Sequence, residues 1–230
     1  MRLLCINPNS TASMTEKIGV AARQVAAEGT EIVARNPLRG PPAIQGAADG
    51  EAALPGLFEQ IDGAVGFDAI IIACFDDTGL YAARRRTRVP VIGIGEAACH
   101  YAMLVAERFS VVTTLAVSVP VIEDNIIRYG FSGRCGRVRA SNVPVLELER
   151  PGSTARESIS AEIATALRDD KCDAIVLGCA GMADLAAELT ARHGVPVIDG
   201  VAAAVKLAEG LAKLRLGTSQ AGPFRHSIAG

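Results

Sequence analysis

Among its six cysteines, at positions 5, 74, 99, 135, 172 and 179, the 230-residue chain has no C-x-x-C pair and no Cys/His ligand spacing. That pattern argues against structural zinc and against a disulfide framework, and it leaves the thiols available for chemistry. Histidine is scarce too. His100 and His193 fall inside expected helices away from strand ends and His226 lies near the C-terminus, so none is placed as the base of a Ser–His or Cys–His triad. With a formal net charge of −2 there is no excess of one sign, which argues against nucleic acid or an anionic membrane surface as a partner. The one basic cluster, Arg84, Arg85, Arg86 and Arg88, is expected to be a solvated helix face. No apolar run is long enough to span a bilayer, and MRLLCINPN is too short and too weakly charged for a signal peptide, so a cytoplasmic protein is expected. The only glycine cluster, Gly93-Ile94-Gly95, lacks the third glycine and the helix context of a dinucleotide site.

What is present is a repeat. The stretch FDAIIIACFDDTG at 67–79 is echoed by CDAIVLGCAGMAD at 172–184, so that Asp68, Ala69, Ile70 and Cys74 match Asp173, Ala174, Ile175 and Cys179 at an offset of 105. Val89, Pro90, Val91, Ile92 and Gly93 are answered by Val195, Pro196, Val197, Ile198 and Asp199. Half of the residues are hydrophobic, enough for a substantial core, and the repeat favours two α/β halves over one large unit. The expected division is residues 1–96 with 201–216, then 97–200, with 217–230 a disordered tail.

An uninterrupted run of β-branched residues closed by a turn signal reads as a strand buried on both faces, as in a parallel sheet. Cys74 and Cys179 then stand at strand C-terminal ends, where ligands of open α/β sheets bind. A lone cysteine is more often core packing than chemistry, but two at equivalent strand ends point to one shared cleft. Each half is expected to hold a mainly parallel four-stranded sheet flanked by helices.

Along the chain, strands are expected at 1–6, 31–35, 67–73, 89–94, 109–113, 138–145, 172–177 and 195–198, and helices at 13–27, 51–65, 79–86, 96–107, 123–129, 153–168, 180–192 and 201–216. Asn9 stands at a strand end and either caps the next helix or holds a substrate carbonyl. Thr113 and Thr114 end the first strand of the second half as Asn9 and Ser10 end the first. Asp76, Asp77 and Thr78 can cap the helix after Cys74, with the aspartates facing solvent, and the loop at 37–50 can cover a cleft. Cys99 and His100, adjacent on one helix, are expected to be one packed and one half-exposed residue rather than a dyad.

A thiol at a helix N-terminus has its pKa lowered, so one of the pair is expected as thiolate near neutral pH. Thiols on opposite sides of a tetrahedral carbon can remove a proton from one face and return one to the other, which is racemisation without a cofactor. The enolate that develops needs donors, and strand-end N–H groups with Asn9, Thr113 and Thr114 can supply them.

In INPNST at the start, ACFDDTGL, VPVIGIGEA, FSVVTT and LGCAGM, the chain resembles the aspartate/glutamate/hydantoin racemase superfamily over residues 1–215, most closely its hydantoin and allantoin racemase branch. The resemblance implies a cofactor-independent enzyme of two pseudo-symmetric halves, a catalytic pair Cys74 and Cys179, a homo-oligomer, no metal, and a small-molecule substrate. The amino-acid racemases of the superfamily tend to follow their cysteines with Asn-Thr and Thr-Glu, whereas Phe75-Asp76 and Ala180-Gly181 follow here. These four residues, with Asn9, Thr113 and Thr114, are the candidate substrate contacts. Two carboxylates beside Cys74 would repel an anion and favour a neutral ring. The expected activity is racemisation of 5-substituted hydantoins, allantoin among them. The alternatives are an Asp/Glu-type racemase, a maleate isomerase or arylmalonate decarboxylase of the same fold, and a non-enzymatic thiol redox sensor.

Overall fold

The computed structural model describes residues 1–150 and 152–225, apart from the Glu149 side chain; His226 and the tail beyond it lie outside the described residues. Among the described residues, eight strands alternate with eight α-helices. The first half runs β1 (Arg2–Ile6), α1 (Ala12–Val25), β2 (Glu31–Arg35), α2 (Ala47–Asp62), β3 (Ala69–Ile72), α3 (Leu80–Arg84), β4 (Val91–Gly93) and α4 (Ile94–Val105). The second repeats the pattern with β5 (Phe109–Thr113), α5 (Val119–Tyr129), β6 (Cys135–Ala140), α6 (Ala155–Asp169), β7 (Ala174–Gly178), α7 (Ala186–His193), β8 (Val197–Ile198) and α8 (Gly200–Lys213). The strands form two parallel four-stranded sheets, ordered β2-β1-β3-β4 and β6-β5-β7-β8.

Strand alternation sorts each sheet between two cores. Leu3, Cys5, Ala69 and Ile71 face a central core that also takes Phe109, Val111, Ala174 and Val176 from the other sheet. Their neighbours Leu4, Ile6, Ile70 and Ile72 face an outer core under α2 and α3, and Val112, Ile175 and Leu177 face another under α6 and α7. All of these side chains are essentially buried, which is why the key strands carry no polar residue on either face.

The repeated aspartates before β3 and β7 act alike. Asp68 accepts from the backbone N–H of Arg2 at 2.7 Å, and Asp173 from those of Glu107 and Arg108 at 2.9 and 2.7 Å, so each ties the start of its strand to the start of the neighbouring one. The helices after β4 and β8 cross over: α4 packs on β7 and β8, α8 on β3 and β4, and the two lie against each other. The central core is therefore built from both halves at once.

Several boundaries differ from expectation. Val145 lies outside β6, in a short 3-10 turn, and Ala180–Leu185 is a 3-10 turn before α7 rather than its first turns. α2 begins at Ala47, a turn early, and α5 at Val119, where Pro120 occupies its first turn. α3 is one short turn whose N-cap is Gly79, with no side-chain cap from Asp76, Asp77 or Thr78. The basic cluster is not simply solvated: Arg84 forms a part-buried ion pair with Glu96, and Arg86 stacks on Phe58 while pairing with Asp62. The tail is held where it is described, Thr218 bonding the carbonyls of Arg88 and Val89 at 2.8 and 2.7 Å and Phe224 stacking on Tyr81. Among the described residues no helix is long and apolar enough to cross a membrane.

Candidate active site

β3 ends at Ile72 and β7 at Gly178, the last residues registered with Ile6 and Thr113, so each strand stops within two residues of a cysteine. Cys74 and Cys179, both half-buried free thiols, line one pocket between the halves. Around them stand Asn9, Phe75, Asp76, Thr113, Thr114 and Ala180, all expected from sequence, together with Asn7, Met14, Ile44, Ser118 and Val145. Gly181 stands just behind, its N–H directed at the Cys179 sulfur. In this form the pocket holds about 30 Å³, room for a single water.

The turn after β1 is a network of side-chain amides. Asn7 Nδ2 donates to Asn9 Oδ1 at 2.8 Å and to Thr15 Oγ1 at 3.0 Å, and Asn9 Oδ1 also accepts from the Thr11 backbone at 2.9 Å. The Asn9 side-chain carbonyl thus serves the start of α1, while its amide N–H₂, 3.6 Å from Met14 Sδ, belongs to the lining of the pocket. Thr113 donates to the Gly178 carbonyl at 2.8 Å, so its hydroxyl hydrogen is committed to joining β5 to β7. The covering loop at 37–46 is tied down by Ser10 and Thr11, which bond the carbonyls of Pro41 and Pro42, and it delivers Ile44 to the pocket.

The two aspartates after Cys74 part company. Asp77 is buried facing away from the thiols, with a left-handed φ of 48°, and accepts from the N–H groups of Gly95 and Glu96 at 3.0 and 2.7 Å and from the Tyr129 hydroxyl at 2.7 Å. It caps α4, not α3. Only Asp76 reaches the pocket, where Ser118 donates to its carboxylate at 3.3 Å and Asn125 to its carbonyl at 2.9 Å. The expectation of two solvent-facing carboxylates is therefore corrected to one partly buried carboxylate. Burial pushes Asp76 up to about 6, and it also walls a second cleft of about 370 Å³ reaching Glu51, Asn125 and Tyr129.

The thiols differ from expectation as well. Burial pushes both up rather than down, Cys179 to about 11 and Cys74 well above its usual range. Desolvation outweighs the donors at each: Thr78 Oγ1 lies 3.5 Å from the Cys74 sulfur, and the Gly181 N–H faces that of Cys179. No Lys, Arg or His lines the cysteine pocket among the described residues, and none of their His, Cys, Asp and Glu side chains cluster as a metal site.

Over residues 3–208 the sequence matches the Asp/Glu/Hydantoin racemase family. The chain belongs to that family. It is an isomerase of the racemase type. The hydantoin racemase of Rhizobium meliloti is 46% identical over 228 residues, covering 98% of this chain and 95% of that one. The solved structure of allantoin racemase from Klebsiella pneumoniae, 47% identical, superimposes with a TM-score of 0.97 over 100% of this chain and 95% of its own. The allantoin racemase of Pseudomonas fluorescens, 41% identical, gives the same TM-score over 100% of this chain and 98% of its own. Sequence reasoning missed Asn7, Met14, Ile44, Ser118 and Val145 at this pocket. Asn7 was within reach as part of INPNST, but the others come from a helix and loops that only packing brings together.

Proposed function

We propose that the enzyme racemises 5-substituted hydantoins, allantoin among them, through a thiolate–thiol pair. The observation that carries this reading is the placement of Cys74 and Cys179 on equivalent strand ends in one pocket. One thiolate takes the C5 proton, forming S–H as C5–H breaks, and the electron pair moves into the adjacent carbonyl as an enolate. The opposite thiol then protonates C5 from the other face and is left as the thiolate. Asn9 Nδ2 and Thr114 are the donors for the enolate oxygen, and Asp76 accepts a ring N–H.

A neutral ring suits a pocket that has one carboxylate and no cation, whereas a dicarboxylate or free amino acid would leave its carboxylates unpaired. The names of the relatives, hydantoin and allantoin racemases, point the same way. The ring is larger than the present pocket, so its admission displaces Ile44 and Val145, and its C5 substituent extends past Asp76 into the wider cleft.

The test follows single enantiomers of allantoin and a 5-alkyl hydantoin in D₂O by optical rotation and C5–H NMR against a protein-free blank. Racemisation with deuterium uptake above the blank is expected. Cys74→Ala and Cys179→Ala should each exchange only one enantiomer, opposite ones, without racemising it. Exchange equal to the blank on both rings sinks the proposal.

A further inference from the structure

Cys74 and Cys179 are equivalent by repeat but not by surroundings. Beside Cys74 stand the Thr78 hydroxyl and the Asp76 carboxylate. Beside Cys179 stands the Gly181 N–H, and Gly181 is itself gripped from the other half: Lys17 Nζ, on α1, donates to its carbonyl at 2.8 Å and pairs with Asp184 at 3.0 Å. Arg156 shares Asp184 at 3.1 Å and holds Glu188 at 2.6 Å. Leu148 packs over the same glycine, its Cδ1 standing 2.8 Å from where a Cβ on Gly181 would lie.

We propose that Lys17 is a positioning residue for Cys179, fixing the Gly181 N–H on its sulfur and adding positive charge, so that Cys179 is the more readily ionised of the two thiols and Cys74 the one that keeps its proton. The inference rests on the two-thiol reading and says which thiol starts as base. The charged groups separate the two thiols. Lys17 favours the Cys179 thiolate and Asp76 opposes it, but Asp76 also opposes that of Cys74, which has no cation beside it among the described residues. Asp184 tempers Lys17 by pairing with it. Lys17 is distinct from the lining residues, because it touches neither the pocket nor any reacting atom.

The test needs no substrate, so it is independent of whether the racemase reading holds. Cys74 and Cys179 are alkylated with iodoacetamide across about pH 8 to 10, and each rate is read by mass mapping. Cys179 should react about tenfold faster than Cys74 in the native enzyme. Lys17→Met should slow Cys179 by about tenfold and leave Cys74 within about twofold, and Lys17→Arg should restore the rate. Asp184→Asn, at a half-exposed position, should speed Cys179, and it serves as the second variant should Lys17→Met lose its fold by circular dichroism. Faster alkylation of Cys74, an unchanged ratio in Lys17→Met, or slower Cys179 alkylation in Asp184→Asn would overturn the proposal. Failure of the racemase reading would show separately, as absent C5 exchange.

Discussion

Gly178 marks the tightest point of the site at the residue scale. A Cβ there would lie 2.7 Å from Thr113 Cβ and 2.8 Å from Thr113 Cα, so any side chain drives β5 from β7 one residue before Cys179. Gly178→Ala should cost about 1–3 kcal/mol in urea denaturation and remove most activity. Gly210, inside α8 with nothing within 4 Å of a built Cβ, is the contrast. Gly210→Ala should stabilise by about 0.5–1 kcal/mol and leave activity intact. The thiols belong to the same scale: with Cys179 at about 11, its alkylation rate should climb about tenfold per pH unit below that value.

At the scale of elements, α4 and α8 are equivalent helices capped in different ways. Asp199 caps α8 locally, accepting from Val201 and Ala202 at 3.0 and 2.8 Å. The matching position before α4 is Gly93, where a Cβ would fall 2.1 Å from Asp77 Oδ1. A carboxylate from the cysteine turn fills the place of the missing cap. Asp77→Gly should therefore cost about 2 kcal/mol, and Gly93→Asp added to it should recover much of the loss, since it recreates the α8 arrangement. The carboxyl also has a pH signature, because burial pushes it up to about 7 against the pull of its three donors. A folded pKa above the unfolded one means that its stabilisation is complete below about pH 4 and is lost as pH rises through about 7. Urea midpoints should fall across that window in the native enzyme and fall less steeply in Asp77→Gly, where the raised Asp76 still contributes.

For the whole molecule, the crossing of α4 and α8 joins the halves through one central core. We propose that residues 1–96 with 201–216 form one half and 97–200 the other, the last helix returning to the first sheet. Buried Cys5 in the first half and Cys172 in the second report on the two separately. Both should become reactive to a thiol reagent at the same urea concentration, because neither sheet can bury its inner face without the other half. Two separate midpoints would show the halves to be independent.

The repeat, the parallel sheets and the two strand-end cysteines were legible in the sequence, because period, β-branched runs and turn residues are local properties of the chain. Eight of the nine candidate site residues line the pocket and Gly181 stands just behind it, since strand ends project residues to one side by geometry alone. What lay beyond reading was set by contacts distant in sequence. Asp77 turned to a helix 18 positions on, Lys17 reached a turn 164 positions away, and the tail came back to Arg88. The raised thiols are the plainest case: local sequence places a sulfur near helix-start N–H groups, but only the packed halves remove the water that would have solvated its charge.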